Sequence, residues 1–289
     1  SRAQTDILLK QLISMSDNQS IDRFDIKTIK TKGDINNVQR LDRIGGKGLF
    51  IKEIEQHILN NQVDVGVHSM KDVPTWLPDG IILPCMLERE DIRDVFISEK
   101  AESISDLPEG SVVGTAALRR QALILHHRPD LKVKIFRGNV ETRLKKLAAG
   151  DVDATLLAMA GLKRLGLADV ATSVIEPEEI LPAVAQGAIG ITCRADDEIS
   201  QMYLAAINNN ETELCITAER ALLKVLDGSC RTPIAALGEI KANGSFFFRG
   251  LVIRPDGTEL IKTERSGTVN EAEALGRDAG EELKCRIGP

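Results

Sequence analysis

Short apolar runs and amphipathic stretches alternate along the chain from Phe24 to Ala160, and this alternation constrains the fold more than any other feature. The run "VDVGVH" at 63–68 has the length and apolar character of a buried strand, whereas "LFIKEIEQHIL" at 49–59 repeats its isoleucines at helical spacing. Strands that alternate with helices of this length predict parallel, doubly wound sheets. The other predicted elements of this region are strands at 24–30, 111–115 and 131–136, helices at 117–125 and 139–150, and a strand that runs into a helix at 153–161.

Beyond about residue 210 the pattern changes to long helices that flank a hairpin. The runs "FFFRGLVI" and "TELIKTE" surround a Pro255-Asp256-Gly257 turn, which predicts two antiparallel strands. The arrangement predicts a smaller α+β domain that follows two α/β lobes. The remaining predicted elements are a strand at 187–194, helices at 212–226 and 271–284, and a strand that starts at Pro233.

The composition narrows the class of protein. A chain of 289 residues favours two or three domains. A net charge of −6 and an aromatic content of 3% argue against a nucleic-acid partner. The five cysteines are odd in number, widely spaced and form no CxxC pair, so neither a disulfide framework nor a zinc site is expected, and a reducing compartment is favoured. No stretch reaches membrane-spanning length, but the chain starts at Ser1 without Met, so a removed targeting segment stays open.

Basic residues recur where a predicted strand passes into a helix. Such corners expose backbone N–H groups, and the carboxyl ends of parallel strands share one edge of a sheet, so these residues are expected to converge on an anion. The implied ligand is a small polyanion with several carboxylates or phosphates. The alternative is that these side chains are solvated helix charges. The residues are Arg119 and Arg120, Arg137 and Arg143, and Lys47 with Arg43.

Two further positions could carry chemistry. Asp72 in "VHSMKDVP" follows a buried strand, and in a cationic site it would stay ionised and stabilise a developing cation; the alternative is a turn residue before Pro74. Cys230 lies in a turn beside Arg231, which favours an accessible thiolate. The histidine His68 is interpreted as a satisfied strand-end residue. The cysteines Cys85, Cys193 and Cys215 fit apolar core patterns, and Cys285 lies near the end of the chain.

Taken in order, several segments resemble the hydroxymethylbilane synthase family, also called porphobilinogen deaminases. The resemblance extends from about Lys32 to Pro233, and the last domain fits in length and pattern. The matching segments are "IGGKGLFIKEIE", "DVGVHSMKDVPTWLP", "EREDIRDVFIS", "VVGTAALRRQ", "FRGNVETRLKKL", "LAMAGLKRLGL", "LPAVAQGAIGI" and "LDGSCRTPIA".

The resemblance implies a covalent cofactor and a polymerising reaction. It implies that Cys230 carries a dipyrromethane through a thioether, as a primer that is never released. Onto this primer the family joins four porphobilinogen molecules head to tail, with loss of ammonia at each step. Water then releases 1-hydroxymethylbilane. Each pyrrole bears an acetate and a propionate, which basic residues can bind.

The resemblance also implies the roles of individual residues. Asp72 matches the family's catalytic aspartate, and Lys71 beside it is also assigned to catalysis. Gln186 lies in a matched segment without an assigned role. The cofactor-binding residues are Cys230, Arg119, Arg120, Lys47 and Asp72, and the substrate-binding residues are Arg2, Arg43, Arg137, Arg143, Arg164 and Thr115.

The fold implied by the family is α/β, with two doubly wound lobes that resemble periplasmic binding proteins around a cleft, plus a smaller α+β C-terminal domain that carries the cysteine loop. The sequence departs from the family at Ala116 and Ala117, where serines are usual, and directly after Arg2, where a short stretch is missing. Altered affinity, not lost activity, is expected from the two alanines. The predicted boundaries are 1–87 with 188–207 for lobe 1, 93–182 for lobe 2 and 210–289 for the C-terminal domain.

The resemblance further implies porphobilinogen as the small-molecule substrate, a monomer, and no nucleic-acid, membrane or metal partner. A cytoplasmic location is expected, or the plastid stroma if a transit peptide has been removed. Two alternatives stay open from the residues alone. One is a solute-binding module that closes on a small carboxylate, and the other is a cysteine-dependent hydrolase with a base near Cys230.

Overall fold

A computed structural model of the chain describes residues 2–16, 24–29, 31, 51–226 and 233–287. These residues form two compact units. Unit 1 contains the described residues up to 90 together with 188–213, and unit 2 contains 91–187 together with the described residues from 214 onward. The chain therefore passes from unit 1 to unit 2 near residue 90, returns near 188 and leaves again near 214.

Unit 1 is built on a three-stranded sheet in the order β1-β8-β2, in which both strand pairs are antiparallel. The central strand β8 is buried along almost its whole length, with Ser69 of β1 opposite Ile189. Asp197 caps the helix that follows β8, because its side chain accepts a hydrogen bond from Ser200 N. The elements are α1 (Arg2–Ser16), α2 (Lys52–Leu59), β1 (Val65–Ser69), β2 (Ile81–Met86), β8 (Ile189–Arg194) and α6 (Glu198–Ala206).

The core of unit 1 lies between its sheet and its helices. Leu8 and Leu12 of α1 pack with Leu87, Ile191 and Cys193 in one buried cluster. The spacing of the two leucines places them on one face of α1, so the helix buries an apolar stripe against the sheet.

Unit 2 begins with a five-stranded mixed sheet in the order β5-β4-β6-β3-β7. Strands β4, β5 and β6 are parallel, whereas β3 is antiparallel to both of its neighbours. All five residues of β3 are buried, which fits a strand covered on both faces. The elements are β3 (Asp94–Ser98), β4 (Val112–Gly114), α3 (Leu118–His127), β5 (Lys132–Lys134), α4 (Val140–Ala148), β6 (Ala154–Ala158), α5 (Met159–Arg164) and β7 (Ser173–Ile175).

The C-terminal part consists of an antiparallel sheet in the order β11-β10-β9 and two long helices. The helices approach each other closely, because a Cβ on Gly276 would lie 2.0 Å from the carbonyl oxygen of Ala218. Leu237 and Leu251 of this sheet share one buried core with Leu123 and Leu156 of the mixed sheet. The elements are α7 (Asn210–Val225), β9 (Ile234–Ile240), β10 (Ser245–Ile253), β11 (Leu260–Thr268) and α8 (Ala272–Ile287).

The predicted α/β class with a smaller α+β C-terminal part is confirmed. The prediction of parallel strand pairing is wrong for the described pairs of unit 1 and for β3, since local patterns carry no information about the direction of a distant partner strand. Residues 24–29, predicted to be a strand, adopt no regular element. The three domain boundaries stay a prediction. No helix in the described part of the chain has the length and apolar character needed to cross a membrane.

Candidate active site

One edge of the mixed sheet in unit 2 collects most of the predicted anion-binding residues. Because β4, β5 and β6 are parallel, their carboxyl ends lie at the same edge. Strand β3 runs in the opposite direction, so its first residue, Asp94, also lies at this edge, opposite Ala158 at the end of β6. The predicted residues that follow these strands are Thr115, Arg119 and Arg120 after β4, Arg137 and Arg143 after β5, and Arg164 after β6.

Arg119 and Arg120 lie in the first turn of α3, and both are buried. Their guanidinium groups hold the fully buried carboxylate of Asp94 between them. Arg119 Nη2 lies 2.7 Å from Asp94 Oδ2, while Arg120 contacts both oxygens, with Nη2 2.7 Å from Oδ1 and Nε 3.1 Å from Oδ2. The two arginines also donate to backbone carbonyls, Arg119 to Leu181 O and Arg120 to Leu156 O. The pair is therefore fixed by the protein itself.

The ion pairs determine the ionisation of Asp94. Burial alone would raise the pKa of its carboxyl, but the charges and hydrogen bonds of Arg119 and Arg120 outweigh burial and hold the pKa well below its usual range. Gln186 adds a third donor, with Nε2 2.8 Å from Asp94 Oδ1. One carboxylate thus forms ion pairs with two guanidinium groups, and the buried cluster keeps a net positive charge.

Arg143, on the helix that follows β5, lies close enough to feel the positive charge of this cluster. Burial lowers the pKa of its guanidinium, and the positive charges of Arg120 and Arg137 lower it further, to about 10. The Nε atom of Arg143 donates to Gly138 O at 2.9 Å. The side chain of Asn139 caps the same helix by accepting a hydrogen bond from Thr142 N at 2.8 Å, which fixes where α4 begins.

The start of α3 exposes backbone donors beside this cluster. Its N-cap residue, Ala117, provides no side-chain acceptor, so the first-turn N–H groups are not capped by this residue. Buried Thr115 accepts a hydrogen bond from Ala117 N at 3.2 Å and so shapes the turn between β4 and α3. Uncapped N–H groups next to excess positive charge have the chemistry needed to bind an anion such as a carboxylate.

Arg164 ends the helix after β6. Its Nη2 atom donates to Gly187 O at 2.5 Å, which ties this arginine to the same segment that carries Gln186. The described residues contain no group of three or more His, Cys, Asp or Glu side chains placed to hold a metal ion.

Unit 1 supplies the predicted catalytic pair at the end of β1. The chain forms a 3-10 turn over Met70–Asp72, in which Met70 is buried and Lys71 and Asp72 are exposed. Met70 N donates to Ala188 O at 3.0 Å, and the side chain of Met70 packs so close to Gly190 that an added Cβ would lie 2.1 Å from Sδ. Close packing of one buried residue therefore sets the direction of the two exposed ones.

Opposing effects act on the ionisation of Asp72. Desolvation by the surrounding protein raises the pKa of its carboxyl above its usual value, and the positive charge of Lys71 opposes this rise only in part. Because the side chain is exposed, solvent screening limits the first effect, and the carboxylate form is available to accept hydrogen bonds. His68, near the end of β1, is buried with Nε2 2.8 Å from Thr192 Oγ1, which agrees with its interpretation as a satisfied strand-end histidine.

The remaining predicted residues fall into two groups. Arg2 is exposed at the start of α1 in unit 1. Cys230, Arg43 and Lys47 lie outside the described residues, so their assignment rests on the sequence. Cys85, Cys193 and Cys215 are buried, as predicted, and Cys285 is exposed.

Sequence reasoning missed three buried polar residues that organise the unit 2 edge. Asp94 could have been noticed as a carboxylate directly before the apolar run Val95–Ile97. Gln186 was matched without a role, and Glu219 gave no signal beyond its place in an amphipathic helix. Glu219 is fully buried, and its carboxylate accepts hydrogen bonds from two backbone N–H groups, those of Ala185 and Gly238.

Comparison with known proteins identifies the family. Residues 1–202 match the family model for the porphobilinogen deaminase dipyrromethane cofactor binding domain, and residues 213–285 match the model for the porphobilinogen deaminase C-terminal domain. Porphobilinogen deaminase of Nitrobacter hamburgensis is 56% identical over 268 residues, which are 92% of this chain and 84% of that protein. The chloroplastic porphobilinogen deaminase of Oryza sativa subsp. japonica is 55% identical over 92% of this chain and 75% of that protein.

A solved structure of the methionine-binding protein MetQ resembles the chain at a TM-score of 0.45 and 13% identity, over 73% of this chain and 88% of that one. The two family models together cover nearly the whole chain, and the relatives match both parts. The chain therefore belongs to the porphobilinogen deaminase family, whose dipyrromethane cofactor binding domain it contains.

Proposed function

We propose that the arginines at the unit 2 sheet edge bind the carboxylate side chains of the dipyrromethane and of porphobilinogen, and that Asp72 acts at the reacting pyrrole. The observation that carries this proposal is the pairing of two buried guanidinium groups, those of Arg119 and Arg120, with the single carboxylate of Asp94 at this edge. A ligand that brings carboxylates balances the remaining positive charge. The proposed anion-binding residues of this edge are Thr115, Arg119, Arg120, Arg137, Arg143 and Arg164.

The reaction is that of the family. The enzyme is a transferase of tetrapyrrole biosynthesis that joins four porphobilinogen molecules head to tail, releases ammonia, and hydrolyses the product 1-hydroxymethylbilane from its dipyrromethane primer. The dipyrromethane bears an acetate and a propionate on each ring, so its carboxylates, which accept hydrogen bonds, fit a cluster with more guanidinium groups than carboxylates. When bound, it supplies the pyrrole carbon to which the first substrate is joined.

In this scheme the residues of the chain bind the substrate and orient it for the reaction. The carboxylate oxygens of Asp72 accept hydrogen bonds from pyrrole N–H groups and stabilise the positive charge that develops as ammonia leaves. Lys71 Nζ, exposed beside it, binds a substrate carboxylate and favours the charged form of Asp72. Arg119 and Arg120 need no reorganisation on binding, because Asp94 already fixes them.

The resemblance supports the remaining assignments. Cys230 is the proposed attachment point of the cofactor, Lys47 a further cofactor-binding residue, and Arg2 and Arg43 further substrate-binding residues. The proposed domains are 1–87 with 188–207, 93–182 and 210–289. The protein is proposed to act as a monomer, in the cytoplasm or in the plastid stroma; relatives of both bacterial and chloroplastic description support both locations.

Intact-protein mass spectrometry tests the function directly. Freshly purified protein is expected to carry an added mass of two pyrrole units, and the Cys230→Ala variant is expected to lack it. The control variant is Cys285→Ser, which removes an exposed thiol and is expected to keep the adduct. An unmodified native protein that also acquires no mass from porphobilinogen would contradict the proposal and favour a carboxylate-binding module. An adduct that the Cys230→Ala variant retains would contradict the attachment point alone.

A further inference from the structure

The segment Leu181–Gly187 joins the residues that carry the proposed cofactor-binding site of unit 2. Leu181 O accepts from Arg119 Nη1 at 2.7 Å, and Gly187 O accepts from Arg164 Nη2 at 2.5 Å. Gln186, which is buried, donates to Asp94 Oδ1 at 2.8 Å and to Ile92 O at 2.7 Å. A shift of this segment would therefore displace Arg119, Arg164 and, through Asp94, the second arginine of the pair.

The segment adopts a conformation that its own sequence does not favour. Ala185 has a φ of +62°, in the left-handed region that residues with a side chain rarely occupy. Its backbone N–H donates to Glu219 Oε2 at 2.6 Å. An unfavourable backbone conformation persists where the surrounding structure enforces it, and this hydrogen bond to a buried carboxylate provides such enforcement.

The second oxygen of Glu219 binds a different element. Oε1 accepts a hydrogen bond from Gly238 N on β9 at 3.0 Å. Glu219 lies on α7, which precedes Cys230 in sequence, and Gly238 lies on β9, which follows it. The backbones of these two elements are in close contact, because a Cβ on Gly238 would lie 3.2 Å from Cys215 O. One carboxylate thus joins both elements that flank the proposed cofactor cysteine to the Leu181–Gly187 segment.

The geometry requires a carboxylate at this position. Two N–H donors approach two separate oxygens, and glutamine offers one oxygen in place of two. The side chain is fully buried, so water cannot replace a lost acceptor without rearrangement. Substitution of Glu219 by glutamine keeps the volume and removes the acceptor for one of the two N–H groups.

We propose that Glu219 is a positioning residue for cofactor attachment and substrate binding. By holding Ala185 in its left-handed conformation, it fixes the Leu181–Gly187 segment and, through Gln186 and Asp94, the arginine pair relative to the two elements next to Cys230. The proposal rests on the proposed function, because it assumes that the arginine pair binds the dipyrromethane and the substrate. Glu219 itself touches neither.

The test compares Glu219→Gln with Glu239→Gln. Glu239 follows Gly238 on β9 and pairs with Arg249 and Lys241, so its substitution removes a carboxylate from the same strand and breaks ion pairs within 233–287 only. Three quantities are measured: hydrogen exchange of the 181–188 backbone, the fraction of chains that carry the two-pyrrole adduct by intact mass, and KM and kcat. Exchange and mass report on the segment and on loading independently of turnover.

In the Glu219→Gln variant, faster exchange at 181–188, a lower loaded fraction and a KM raised about tenfold are expected, since loss of one hydrogen bond to a charged group corresponds to about that factor. Glu239→Gln is expected to match the native protein in all three. Faster exchange with native loading and native KM would overturn the proposal. Absence of the adduct from the native protein would instead contradict the proposed function itself.

A second variant separates positioning from general destabilisation. Glycine adopts a φ of +62° without strain, so Ala185→Gly in the Glu219→Gln background is expected to restore most of the loaded fraction and of the native KM. If Glu219→Gln alone does not fold, the proposal is tested by the loaded fraction and KM of the double variant. If the double variant folds but its KM stays about tenfold or more above native and its loaded fraction stays at or below about a tenth of native, the effect of Glu219 does not run through Ala185, and the proposal is wrong.

Discussion

Arg120 holds the fully buried carboxylate of Asp94 through two hydrogen bonds, from Nη2 to Oδ1 at 2.7 Å and from Nε to Oδ2 at 3.1 Å. This bidentate pairing fixes the plane of the guanidinium group, and Arg119 completes the contact from the other side. A buried carboxylate between two arginines neutralises half of their charge. The cluster of two arginines and one aspartate therefore keeps one positive charge.

The pairing leads to a prediction for Asp94→Asn. The substitution leaves two buried guanidinium groups without their counter-charge, so the free energy of unfolding is expected to fall by roughly 3–5 kcal/mol. Urea unfolding measures this change, and intact mass is expected to show a lower loaded fraction. Asp130→Asn is the control, because Asp130 pairs with Arg128 near the surface, and its unfolding midpoint is expected to stay close to native. Equal midpoints for both variants would show that Asp94 contributes no more than an exposed ion pair.

The close contact between Gly190 and Met70 leads to a second prediction. In Gly190→Ala the new Cβ would meet Met70 Sδ at 2.1 Å and Leu83 Cδ1 at 3.0 Å, so Met70 must move and the turn that presents Asp72 moves with it. A displacement of about 1 Å at a reacting group lowers kcat by up to about 100-fold. Steady-state kinetics measure the effect. Gly161→Ala, where an added Cβ meets nothing within 4 Å, is the control and is expected to keep native kcat. A native kcat in Gly190→Ala would mean that the turn tolerates the shift.

The parts of this structure that could be predicted from sequence are those set by local patterns. The helix at Lys52–Leu59 and the strand at Val65–Ser69 follow from spacing of apolar residues, and the placement of Arg119 at the start of a helix follows from chain direction. Whether that arginine faces a ligand or the protein depends on Asp94, which is 25 positions earlier and meets it only because β3 is antiparallel. No local pattern carries that information.

The same limit explains the strand directions in unit 1. Strand β1 pairs with β8, although Val65 and its partner Cys193 are separated by more than 120 positions. Alternation of strands and helices predicts a layered α/β unit correctly, but the direction of a strand that returns so late is decided by packing. The Glu219 contact is likewise invisible in sequence, because it involves backbone N–H groups, which every residue except proline carries.

His68 gives a prediction about pH. Burial lowers the pKa of its imidazole from 6.5 to about 4, so the unfolded chain binds a proton at a pH where the folded chain does not. The stability that comes from the neutral form is therefore present above pH 6.5 and is lost as the pH falls toward 4, by roughly 3 kcal/mol in total. Urea unfolding at several pH values between 7 and 4.5 measures the loss. His68→Gln is expected to have a shallower decline than the native protein, and parallel declines would contradict the assignment.

The cysteines provide a prediction that reports on the cofactor without turnover. Burial raises the pKa of Cys85 to about 12 and that of Cys193 to about 11, and Cys215 is buried as well, so these thiols are expected to resist alkylation in the folded protein. Cys285 is exposed and is expected to react.

If Cys230 is occupied by a thioether, alkylation of the native protein by N-ethylmaleimide therefore labels Cys285 alone, and the Cys285→Ser variant stays unlabelled. After denaturation four of the five cysteines become reactive, because the thioether survives unfolding. Peptide mapping identifies the labelled sites. A second label at Cys230 in freshly purified protein would mean that its thiol is free, and the proposed attachment of the dipyrromethane would then be wrong at this residue whatever activity the protein shows.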